Sequence, residues 1–166
     1  MTGAGVGDML VKLWELPPLA PALAACAGRG VNVRRALAPE KYVLVDWTRA
    51  HWPAWAAEVD VAFARLPVAC FVAVKEGRPV GFACHDAIAP DFFGPTAVLD
   101  AARGQGIGRA LALAAMHALA AQGYAYAIVG GVGPAAFYEK AFGAVAIAGS
   151  SPGIYAGMLR QPPGVG

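Results

Sequence analysis

Residues 95–116, PTAVLDAARGQGIGRALALAAM, restrict the fold of this chain more than any other stretch. A partly β-branched run leads into three glycines at alternate positions, Gly104, Gly106 and Gly108, and then into a long alanine- and leucine-rich segment. This order predicts a strand, a tight turn and a helix over 107–123 that ends at Gly123. A glycine turn opening a helix bares unpaired backbone N–H groups at the positive end of the helix dipole, an arrangement suited to anions.

Two familiar phosphate motifs do not fit. A P-loop needs Lys and Ser or Thr after its last glycine, where this chain has Arg109 and Ala110. The dinucleotide fingerprint needs a glycine where Arg109 stands and an acidic residue about 20 positions on, and YAYAIVGG, the apolar run that follows the helix, contains no acid.

The flanking segments read as mixed α and β. MLVKLWEL (9–16) suits a strand, PPLAPALAACAGRG (17–30) a short helix and VNVRRA (31–36) a second strand. Two helices follow across 38–66, each with a proline near its first turn, Pro39 and Pro53. CFVAV and VGFAC flank KEGRP as an antiparallel hairpin, and GPTAVLD makes a further strand before the glycine turn. Beyond the long helix, YAYAIVG reads as a buried strand and GPAAFYEKAFGA (133–144) as a short helix. AVAIA and IYAGML read as final strands around a GSSPG loop.

A chain of 166 residues, 58% hydrophobic and 14% charged, builds one domain with a substantial core, and no internal boundary is marked. The net charge of +2 is spread without a basic stripe, which argues against nucleic acid. Cys26, Cys70 and Cys84 match no zinc or redox spacing and read as buried small side chains. No His, Cys and acid cluster has ligand spacing, so no metal is expected. MTGAGVGDML lacks a signal-peptide pattern and no run of about 18 apolar residues occurs, so a cytoplasmic protein without a membrane partner is expected. Residues 1–8 read as a mobile leader, and a homodimer is compatible with the apolar composition.

Arg103-Gly104-Gln105-Gly106-Ile107-Gly108 matches the Q/R-x-x-G-x-G/A loop of the GNAT superfamily of N-acetyltransferases, and the chain resembles that family. GPAAFYEKAFGA resembles the family's following helix. The likeness in element order runs from 31 to 159 within a domain of 9–166, leaving residues 9–30 as an extra strand and helix. The resemblance implies an α+β fold: a strongly twisted, mixed, mostly antiparallel sheet, helices on both sides and one splayed pair of parallel strands. It further implies an acetyltransferase moving the acetyl group of acetyl-CoA, its co-substrate, directly to an amine on a small molecule or peptide.

By that resemblance Arg103, Gly104, Gln105, Gly106, Ile107, Gly108 and Arg109 hold the pyrophosphate, and the main chain of Ala97, Val98 and Leu99 holds the pantetheine arm, beside a strand that a bulge splays away. An N–H near Val98 polarises the thioester carbonyl. Tyr138 gives the departing thiolate its proton. A thiol pKa of about 8.5 and a phenol pKa of about 10 are close enough for that exchange.

The strand FFGPTAV carries no acid, so the general base is sought in Asp86 or Glu58, with His85 expected to face opposite to Asp86. Trp52, Trp55, Phe92 and Phe93 are candidates for an aromatic acceptor pocket, near Trp47 and His51, with SSPGIY closing one side. An acyl-CoA-binding sensor or interaction domain with weak catalysis is the alternative reading.

Overall fold

The computed structural model describes residues 7–164. The chain runs β1 (Met9–Lys12), α1 (Leu19–Ala27), β2 (Val31–Arg35), α2 (Lys41–His51) and α3 (Ala56–Phe63), then β3 (Cys70–Lys75) and β4 (Arg78–His85). It continues with β5 (Phe92–Val98), α4 (Ile107–Ala121), β6 (Tyr126–Val129), α5 (Ala135–Phe142) and β7 (Val145–Ala146). The sheet order is β2-β3-β4-β5-β6-β1-β7, and every described neighbouring pair is antiparallel except β5 and β6. The expected mixed sheet with one parallel pair is present.

Side-chain alternation along the hairpin builds two cores. Cys70, Val72, Phe82 and Cys84 point to one face and pack with Leu44 and Val45 of α2 and Val59, Ala62 and Phe63 of α3. Ala73 and Ala83 point to the other, where Leu111, Met116 and Leu119 of α4 fill the space. Because α4 lies between the sheet and α1, it is apolar almost all round, and Leu111, Leu113, Met116 and Leu119 have no exposed surface. All three cysteines are free and buried, as their spacing suggested.

Both chain ends depart in part from the sequence reading. The strand and helix expected in residues 9–30 are present as β1 and α1, and β1 sits inside the sheet between β6 and β7, with Met9 opposite Val129 and Ala146 and with Met9 and Val11 completely buried. Of the expected leader, residues 1–6 lie outside the described residues. Asp8 is buried, and its main chain accepts the Ile147 N–H (2.8 Å) and donates to Ser150 Oγ (2.7 Å).

AVAIA contributes only the two residues of β7, and IYAGML forms no strand. Instead, Gly153–Tyr155 makes a 3₁₀ turn. Gly149, Gly153 and Gly157 all adopt positive φ in this segment, which breaks the extended backbone. The sheet position that such a strand could have filled beside β6 is already taken by β1.

Candidate active site

The parallel pair holds together for only two registered positions, Phe92 opposite Ile128 and Phe93 opposite Val129. Beyond them β5 runs on to Val98 while β6 ends. On its other side β5 places two residues, Gly94 and Pro95, between Phe93 and Thr96, where β4 has Cys84 alone between His85 and Ala83. This is the expected bulge, and it bends β5 away from β6.

Past the bulge, the Leu99 N–H donates to the Val80 carbonyl at 2.9 Å and is therefore engaged within the sheet. Antiparallel alternation then turns the backbone groups of Ala97 towards β4 as well, and those of Thr96 and Val98 into the gap. Of the three residues expected to offer main-chain contacts, only Val98 presents them to the open side. Thr96 is the other, one that sequence reasoning passed over.

Beside the gap, α4 begins at Gly106, whose φ of 78° turns the chain sharply into the helix without any side-chain cap. The first helical bond runs from the Ala110 N–H to the Gly106 carbonyl (3.0 Å), so the N–H groups of Ile107, Gly108 and Arg109 have no intrahelical acceptor. They border a cavity of about 520 Å³ lined by Val98, Arg103, Gly104, Gly108, Arg109 and Phe137, among others. Arg103 also pairs with Asp100 at the exposed rim (3.1 Å). The site suits a pyrophosphate: uncapped amides, a positive helix end and two arginines converge on one open cleft.

Through the gap lies a second cavity of about 430 Å³, and Thr96, Pro134 and Tyr138 line both. Tyr138 is only 5% exposed and meets Phe93 edge-on, with ring centroids 6.0 Å apart. Among the described residues no protein group hydrogen-bonds its hydroxyl, and burial pushes its pKa up to about 12. The phenol therefore keeps its proton throughout the neutral range.

Glu58, in the first turn of α3, reaches the second cavity. Its Oε2 is buried and has no hydrogen-bond partner among the described residues, and desolvation raises its pKa. Trp55 and Phe93 line the same cavity, joined by Ile88, Tyr155 and Met158. Tyr155 comes from the segment expected to close one side. Its hydroxyl lies where a Cβ on Gly130 would be only 2.9 Å away, so Gly130 lets the phenol approach the end of β6.

Other candidates fall elsewhere. Asp86 lies away from both cavities: it accepts from the Asp91 N–H (2.7 Å) and from Gln122 (3.1 Å), which ties the 86–91 turn to α4. His85 does not face opposite to it; the two are 2.7 Å apart, because a positive φ at Asp86 ends the strand alternation. Trp52 packs edge-on against Phe82 in the second core (6.0 Å) and does not line the cavity. Phe92 covers Gly130 from the strand end. Ile88, Pro134 and Phe137 were missed, and only the position of Phe137 beside Tyr138 could have singled one of them out.

A mixed sheet split between parallel strands above a glycine-capped helix is the architecture of the GNAT acetyltransferases. Residues 67–141 match the acetyltransferase (GNAT) domain family. The fold is similar to the GCN5-related glucosamine N-acetyltransferase region of a fungal multi-domain GH3 β-N-acetylglucosaminidase (TM-score 0.69, 16% identity, 85% of this chain and 19% of that one). It is also similar to a GCN5-related N-acetyltransferase from Sphaerobacter thermophilus (TM-score 0.64, 16% identity, 85% and 48% covered) and to a Drosophila protein (TM-score 0.59, 15% identity, 85% and 47% covered). The chain thus spans less than half the length of each, and at these identities the likeness is one of fold. No curated protein matches it in sequence. Residues 67–141 thus carry a likeness to the GNAT acetyltransferase domain, and the chain as a whole shares the fold of GNAT proteins.

Proposed function

We propose that the protein transfers an acetyl group from acetyl-CoA directly to an amine. The observation that carries this reading is the meeting of the two cavities at Tyr138, one beside an uncapped helix end and the other beside an unpartnered carboxylate. Acetyl-CoA, used generally by domains of this kind, supplies an activated acetyl thioester. The amides of Ile107, Gly108 and Arg109, with the Arg103 and Arg109 side chains, take the pyrophosphate, and the main chain of Thr96 and Val98 orients the pantetheine arm. The Val98 N–H faces the gap, where it can polarise a carbonyl.

Glu58 removes the proton that an ammonium must lose before it can attack. A desolvated carboxylate suits that task, because burial raises its pKa and so makes it a stronger base. As the C–N bond forms and the C–S bond breaks, Tyr138 donates its hydroxyl proton to the departing thiolate and is reprotonated by the second proton that the nitrogen sheds in becoming an amide.

The test is a melting experiment followed by an assay of thiol release. Acetyl-CoA at 100 times its dissociation constant stabilises the fold by about 2.7 kcal/mol, and an amine acceptor then produces free CoA thiol. A melt unmoved by millimolar acetyl-CoA would sink the proposal. Stabilisation without thiol release from any amine would leave an acyl-CoA-binding sensor.

A further inference from the structure

We infer that the acceptor is a compact aromatic amine with no acidic group, its ring held among Trp55, Phe93 and Tyr155 and its nitrogen directed to Glu58. The inference rests on the acetyl-transfer reading and narrows it. Its basis is the chemistry of the 430 Å³ cavity, which is of the size that holds small ligands.

Among the described residues the wall carries no Lys, Arg or His, and Glu58 is its single carboxylate. A carboxylate or phosphate on the acceptor would be desolvated there with no counterion and would stand near Glu58. An ammonium meets the opposite situation. The Glu58 carboxylate in the wall, which has no cationic partner among the described residues, gives it a counter-charge and a hydrogen-bond acceptor, and the aromatic faces add cation–π attraction.

Polar acceptors such as sugars fare badly for a second reason. Several donors of the wall are committed elsewhere: Thr96 Oγ1 donates to the Phe82 carbonyl (2.9 Å), the Gly131 N–H to Asp8 (3.0 Å) and the Val132 N–H to the Gly7 carbonyl (3.1 Å), which among the described residues leaves chiefly aromatic side chains, the phenols of Tyr138 and Tyr155 and the indole of Trp55, as free donors. A polyol would give up more hydrogen bonds to water than these few groups replace. Apolar walls from Ile88, Pro95 and Val132 instead reward an aromatic ring and a short chain.

Calorimetry on the full chain saturated with CoA distinguishes these chemistries, using phenethylamine, phenylalanine and glucosamine as probes. Phenylalanine is phenethylamine with an added carboxylate, so the pair isolates the effect of the acid. Phenethylamine is expected to bind at least about 100-fold more tightly than either competitor. Glu58→Gln is expected to weaken it by about tenfold or more while leaving CoA affinity unchanged.

Equal binding of phenylalanine or glucosamine, or no binding of phenethylamine to the CoA-loaded protein, overturns the inference. Thiol release is then followed with acetyl-CoA and the same amines. Selective phenethylamine binding without thiol release removes the acetyl-transfer reading and keeps the ligand class. Thiol release with glucosamine or phenylalanine at equal kcat/KM keeps acetyl transfer and removes the class.

Discussion

The Asp8 carboxylate accepts the Gly131 N–H at 3.0 Å, joining the start of β1 to the open end of β6. Three further bonds surround this link: Val132 N–H to the Gly7 carbonyl, Ile147 N–H to the Asp8 carbonyl and Asp8 N–H to Ser150 Oγ. The amino-terminal segment therefore fixes both the floor of the second cavity and the segment that brings Tyr155 over it. Asp8→Ala is expected to cost about 1.5–3 kcal/mol in chemical denaturation, the range for a hydrogen bond to a charged group. Amine affinity should fall with it while CoA affinity stays. Unchanged stability would show that the link contributes nothing.

Gly106 and Gly108 are expected to separate folding from binding. A Cβ on Gly108 meets only Val98 Cγ2, at an ordinary 3.6 Å, so Gly108→Asp folds. Its carboxylate then stands among the free amides and repels a pyrophosphate, and acetyl-CoA affinity should fall by about tenfold or more. Gly106→Ala forces an L side chain to a φ of 78° and should lower stability by about 1–2 kcal/mol. If folded Gly108→Asp retains full affinity in calorimetry, the pyrophosphate binds elsewhere.

Tyr138→Phe keeps the ring in its contact with Phe93 and removes only the hydroxyl. With an acceptor in hand, kcat should fall by about 10²- to 10⁴-fold with little change in KM for acetyl-CoA. A pKa of about 12 keeps the phenol protonated through pH 10, so no loss of kcat from its ionisation is expected below that pH. On the acid side, kcat/KM should rise with pH as Glu58 ionises, above the ordinary range for glutamate. Glu58→Gln should abolish that rise. A Tyr138→Phe variant within about twofold of the parent, where chemistry limits the rate, would reduce the tyrosine to packing.

Asp91 offers a stability test away from the site. Burial, and then the neighbouring Asp86 charge, raises its pKa from 3.8 to about 6, and its Oδ1 is buried without a partner. Between those two values the folded state binds more protons than the unfolded state, so this group makes stability fall as pH rises, with the full penalty present above pH 6. Asp91→Asn removes the charge at a residue whose φ of 69° asparagine tolerates. The variant should be more stable by about 1 kcal/mol at pH 7, allowing for solvent screening of a half-buried group, and the advantage should shrink below pH 4. An advantage that does not vary with pH would assign the effect to something other than charge.

Local chemistry wrote several features directly into the chain. The glycine spacing at 104, 106 and 108, the apolar helix after it and the KEGRP turn between alternating strands each depend on neighbours in sequence, and each stands close to where that reading put it. Tyr138 within AAFYEK was singled out by the family resemblance, and it lies where the two cavities meet.

Other features depend on partners far along the chain. Residues 9–16 and 154–159 both read as plausible strands, and only one of them could fill the position beside β6. Long-range pairing and the buried Asp8 decided in favour of the amino-terminal segment. Asp86 and Glu58 were likewise equivalent as carboxylates in sequence. Hydrogen bonds from Asp91 and Gln122 occupy the first, while α3 leaves the second in the cavity wall with its buried Oε2 unpartnered among the described residues. The sequence by itself determined the strand, glycine turn and helix, because their geometry follows from local backbone preferences and hydrophobic period. Only the tertiary structure decided which strand closed the sheet and which carboxylate faced the gap, because those outcomes depend on competition for partners that local sequence does not encode.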